Sequence, residues 1–141
     1  MALINTKSAR SILLAAAAYF AVCGLSATFA PSSWLWVSGL PTAMTNELSL
    51  AFGVVGAFIS ALAIGALIAS TAPTQHRGLI LTLAIANVCD FLATLRATVS
   101  GALPWPQGTL FIVVTVVWTT LLFIAWRCAD PKPCASDFFQ K

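Results

Sequence analysis

The chain reads as an all-α integral membrane protein, a four-helix bundle forming one transmembrane domain over residues 1–141. Three observations predict this. First, 60% of the residues are hydrophobic and 8% charged, with a mean hydropathy of +0.94, whereas a soluble domain of this size clothes its surface in far more charge. Second, four apolar segments at about 10–30, 47–70, 79–100 and 109–127 each have the roughly 19–24 residues that a bilayer requires. Third, all seven prolines, at 31, 41, 73, 104, 106, 131 and 133, fall between or after those segments, so none interrupts a span.

Span 1 follows a short polar lead with Lys7 and Arg10, which could serve as the n-region of a signal peptide. The apolar run from Ile12 to Ala30 is longer than an ordinary h-region, and Pro31 follows the small-residue site that would end at Ala30. Val22 before Cys23 also spoils a lipoprotein box, so the segment reads as a retained span. Ala17, Ala21, Gly24 and Thr28 place one face of small residues along it, suited to close approach of a neighbour.

The loop from Pro31 to Asn46 carries Trp34 and Trp36, and the second such loop, Gly101 to Gly108, carries Trp105. With Trp126 near the end of span 4, these indoles are expected to anchor at the headgroup level. Thr45 or Asn46 can cap span 2, and Glu47 then sits in its first turn, where the helix dipole favours a carboxylate. Along span 2, Gly53, Ala57, Ala61 and Gly65 recur at every fourth residue, with Gly56 and Ser60 beside them. This ladder predicts the surface on which the other helices pack, or a dimerisation face. Span 4 is rich in valine and threonine, poor helix formers in water, but a span must satisfy its own backbone.

Basic residues set the topology. Lys7 and Arg10 precede span 1, Arg77 lies between spans 2 and 3, and Arg127, Lys132 and Lys141 follow span 4. Both termini and the middle loop are therefore expected in the cytoplasm, with the tail 128–141 beside them.

Span 3 alone carries charge at membrane depth. Asn87, Asp90 and Thr94 fall on one face, and Asp90 lies about 18 Å from Gly78 along the axis. An ionised carboxylate there costs several kcal/mol unless paired or hydrated. One reading is interhelical hydrogen bonding that holds helix register; the other is a proton relay or a polar ligand pocket, with Tyr19 as a further wall. Arg96 is near the far end of the span, at the level of Glu47, and an ion pair between the two is expected to tie span 2 to span 3.

The residues exclude much. The only histidine, His76, lies in a loop, which argues against haem held between spans. Cys23 and Cys89 lie in spans and Cys128 and Cys134 in the tail, which makes neither a disulfide framework nor a clustered metal site. No serine has a histidine at membrane depth, so catalysis is not expected. The net charge of +3 is too small to suggest nucleic acid.

Asn46-Glu47-Leu48, then Gly53 and Gly56, a basic loop, and Leu95-Arg96 with Ser100 and Gly101 together resemble small uncharacterised four-helix bacterial membrane proteins of the DoxX-like group. The resemblance covers about the middle half of the chain. It implies a Glu opening span 2, an Arg closing span 3 and a bacterial inner membrane. Some members are associated with quinone-linked oxidoreductase complexes.

Two functions are consistent with these features. The first is a non-catalytic accessory subunit, without cofactor or metal, packing against larger integral subunits of an energy-transducing complex, with Phe138 and Phe139 docking the tail. The second is a membrane protein or transporter that binds a small molecule, a lipid or a quinone in a polar pocket at Asp90. A cavity reaching Asp90 would favour the second; a dry, fully packed span 3 would favour the first.

Overall fold

The computed structural model describes residues 2–39 and 43–130, with side chains from Thr6 onward and that of Trp36 excepted. Phe138, Phe139 and Cys134 lie outside the described residues, as does the side chain of Trp36. The described chain forms five α-helices: α1 (Ala2–Phe29), α2 (Pro31–Ser38), α3 (Asn46–Thr71), α4 (Arg77–Val99) and α5 (Trp105–Cys128). Four of them, over Thr6–Phe29, Asn46–Thr71, Arg77–Val99 and Trp105–Cys128, are long and apolar enough to cross a membrane. Large apolar side chains such as Val22, Phe29, Leu50, Phe58 and Val113 cover the outside, a surface suited to lipid rather than water. The protein is a multi-pass membrane helical protein.

The helix ends differ from the sequence expectation where the local chemistry allows extension. No glycine or proline lies in Ala2–Ala9, so α1 begins in the polar lead rather than near residue 10. α5 begins at Trp105 rather than Thr109, because Pro106 falls in the first turn, where its missing N–H costs nothing. Thr45 caps α3, its hydroxyl accepting from the Leu48 N–H at 3.2 Å. Gly101, at φ 76°, ends α4 in the left-handed conformation that a glycine adopts without strain.

The four long helices form a ring in the order α3, α1, α5, α4, and α2 lies across one end of it. α1 and α3 make the closest pair. A methyl group at Gly56 would lie 2.6 Å from the Gly24 carbonyl oxygen and 2.7 Å from the Thr28 nitrogen, so the two backbones touch. α4 and α5 are similarly close where Gly108 meets Thr98; a methyl there would lie 2.6 Å from Thr98 Cγ2.

The ladder expected on span 2 is corrected by this packing. Gly56 and Ser60 face α1, and Ala63, Ala66 and Ala69 are buried. Gly53 has nothing within 4 Å of a built methyl, and Ala57 and Ala61 are exposed. Gly65 makes ordinary contact with Leu79 and Leu83 of α4. A strict four-residue repeat drifts around a helix of 3.6 residues per turn, so its members cannot all share one contact.

The end of the bundle where α1 begins and α5 ends is solidly packed. Leu13, Ile80, Leu83 and Leu122 are at most 1% exposed, with Ala9, Ala125 and Ala129 closed around them. Arg77 pins this end: it pairs with Asp130 at 3.0 Å and lies 4.4 Å above the centre of the Trp126 ring. Trp126 is thus a half-buried platform for Arg77 rather than only an anchor at the headgroups.

Candidate functional site

The opposite half of the bundle, beneath α2, is hollow. A cavity of about 320 Å³ lies between the helices, within the range of small-molecule sites. Each helix contributes because each close pair, α1 with α3 and α4 with α5, leaves its other side facing the gap. α1 supplies Tyr19, Phe20 and Cys23; α3 supplies Val55, Ile59 and Leu62; α4 supplies Ala86, Asn87, Asp90 and Thr94. α5 adds Phe111, Val114, Thr115 and Trp118, and Trp34, Ser38 and Leu103 close the end. Val55 and Asp90 are exposed, so the cavity opens between α3 and α4.

Aromatic rings make its walls. Tyr19 and Trp118 stack with centres 4.9 Å apart, bridging α1 to α5, and Phe20 lies 6.1 Å from Trp118. At the α2 end Trp34 stacks on Phe111 at 6.4 Å, and its indole N–H donates to the Ser26 hydroxyl at 3.1 Å. Trp34 is therefore turned in over the bundle rather than out toward headgroups, because its N–H finds a partner on α1. Trp105, by contrast, is 66% exposed at the start of α5, as an anchoring indole would be.

The polar face of span 3 lines this cavity. Asn87 is buried, and its amide donates to the Leu83 carbonyl of its own helix at 3.0 Å. It makes no interhelical bond among the described residues, contrary to the register-holding expectation. Asp90 does reach across: the Thr115 hydroxyl of α5 lies 3.4 Å from Oδ2. That hydroxyl also lies 2.7 Å from the Phe111 carbonyl oxygen. With one proton to donate, it favours the shorter bond, so Asp90 receives little from the protein. Among the described residues that line the cavity there is no lysine, arginine or histidine.

The Glu47–Arg96 pair does not form. Both side chains are exposed, and among the described residues the ion pair found is Arg77–Asp130. The reason is geometric: α3 and α4 touch where Gly65 meets Leu79 and Leu83, and the cavity stands between them further along.

Sequence reading named Tyr19 as a wall but missed the other aromatic walls, Phe20, Trp34, Phe111 and Trp118, and the Arg77–Trp126–Asp130 cluster. The residues of each group are far apart in the chain, and the one available signal was Arg77 at a span end with Trp126 at another. Among the described residues no group of three or more histidines, cysteines or acids could hold a metal ion. The comparisons add no further constraint: no protein-family model matches the chain, and no curated protein or solved structure shows significant similarity to it.

Proposed function

We propose that this protein binds a small molecule with an apolar body and a polar head in the cavity at Asp90. One observation carries the reading: a cavity of about 320 Å³, walled by aromatic rings, reaches a carboxylate to which the described residues supply one long hydrogen bond. A carboxylate at membrane depth is costly unless something answers it. The role proposed is binding or transport without catalysis. The basic residues Lys7, Arg10, Arg77 and Arg127 cluster at the packed end, which we place in the cytoplasm. The DoxX-like resemblance supports a bacterial inner membrane.

Tryptophan fluorescence tests the reading, because Trp34 and Trp118 line the cavity. The full chain in lipid nanodiscs is titrated with a short-chain quinone, an aromatic amine and an aromatic hydrocarbon. A saturable change with at least one, abolished by Ala86→Phe, is expected. A flat response to all three would end the proposal.

The accessory-subunit reading keeps one supporting observation. Gly53, Ala57 and Ala61 form a small-residue face on α3 that none of the described helices covers, and such faces admit close approach of another helix. Its test is co-purification with larger integral subunits at fixed stoichiometry in mild detergent, and loss of that association on Ala57→Leu.

A further inference from the structure

We infer that the cavity selects a monovalent organic cation, an amine or quaternary ammonium on an aromatic or short alkyl body, with Asp90 as its counter-ion. The inference rests on the cavity-binding reading and narrows it to one class of ligand.

Charge comes first. Among the described residues Asp90 is the one acid along the cavity, and none of those that line it is a lysine, arginine or histidine to answer it. Its protein contact is a hydroxyl at 3.4 Å whose proton is drawn to the Phe111 carbonyl at 2.7 Å. A ligand cation supplies both the missing charge and, for an amine, the missing donors.

The walls fit the same ligand. Tyr19, Phe20, Trp34, Phe111 and Trp118 line the cavity, and a desolvated cation is held by aromatic rings as well as by a carboxylate. The remaining apolar lining, Val55, Ile59, Leu62 and Val114, accepts the ligand's body. An oxidised quinone fits less well. Its two carbonyl oxygens are acceptors, so it would need Asp90 to hold a proton and would leave no use for the carboxylate's charge. The opening between α3 and α4 faces the direction from which a lipophilic cation dissolved in the bilayer would arrive.

The test uses a matched pair of probes, benzyltrimethylammonium and its neutral carbon isostere neopentylbenzene, which differ in charge and hardly in shape. The full-length protein is titrated in nanodiscs, with partition into empty nanodiscs subtracted. Benzyltrimethylammonium should bind about tenfold or more tightly than neopentylbenzene, and Asp90→Asn should remove that preference. A second measurement needs no variant: a lipophilic carbodiimide modifies membrane carboxyls, and labelling of Asp90, located by peptide mass spectrometry, should fall when the cation is present. Equal or tighter binding of neopentylbenzene, a preference that survives Asp90→Asn, or labelling unaffected by the cation overturns the cation inference. In that case cavity binding itself still stands on the fluorescence series, where loss of the response on Ala86→Phe reports occupancy of the site. If neither probe binds and neither does any ligand of the fluorescence series, both readings fall together.

Discussion

The two halves of this bundle are built from the same kinds of helix and solve opposite problems. At the packed end, leucine and isoleucine from α1, α4 and α5 fill the centre, alanines let the helices close around them, and Arg77 ties the turn before α4 to the end of α5. At the α2 end, glycines draw α1 onto α3 and α5 onto α4, and the two pairs stand apart around a void. Close packing within each pair is thus what opens the space between pairs. The lesson is that small residues in a membrane bundle can make a cavity as readily as they fill one, depending on which neighbour they admit.

The comparison can be broken most severely at its packed end. Leu83→Ala removes a fully buried side chain and should cost about 2–4 kcal/mol in a reversible unfolding measurement in mixed micelles. Leu103→Ala, at the cavity wall, should cost under about 1 kcal/mol, because its side chain already borders empty space. Equal losses at the two sites would erase the distinction between packed and hollow halves.

Next in size is the α1–α3 seam. Gly56→Ala forces a methyl against the Gly24 carbonyl oxygen and should cost about 1–3 kcal/mol, while Gly53→Ala, in open space, should be neutral or slightly stabilising. The same unfolding measurement reads both, and a reversed order would place the seam on the wrong face of α3. Arg77→Ala should have a smaller effect, about 1 kcal/mol, since its ion pair with Asp130 is half in solvent and the ring contact supplies much of the rest. Asp130→Asn should cost less than Arg77→Ala, because it leaves the contact with Trp126 in place. The smallest effect sharpens the hollow half: Ala86→Phe should leave stability within about 1 kcal/mol of wild type while closing the ligand site.

The architecture was legible in the chain because it is written in local quantities. Whether a segment of about 20 residues is apolar enough to span, where proline stops it, and whether Thr45 caps it can each be read within a few residues of sequence. The common face of Asn87, Asp90 and Thr94 is equally local, since helical periodicity alone aligns them. The site was only half legible for the same reason: the polar face of one helix and Tyr19 of another could be read, and the rest of the lining could not.

What remained belonged to pairs of helices. Gly53 and Gly56 are both glycines on span 2, yet only Gly56 meets another backbone, and that follows from the rotation of α3 against α1. Glu47 and Arg96 share a level but not a contact, because the space between α3 and α4 is occupied by the cavity. Trp34 turns inward because Ser26 and Phe111 are within reach, and the Tyr19–Trp118 stack depends on how α1 crosses α5. Crossing angle and rotation arise from the fit of whole helix surfaces, so tertiary packing decided that Asp90 would face an aromatic cavity, while the spacing of residues along one helix had already decided that Asn87, Asp90 and Thr94 would face the same way.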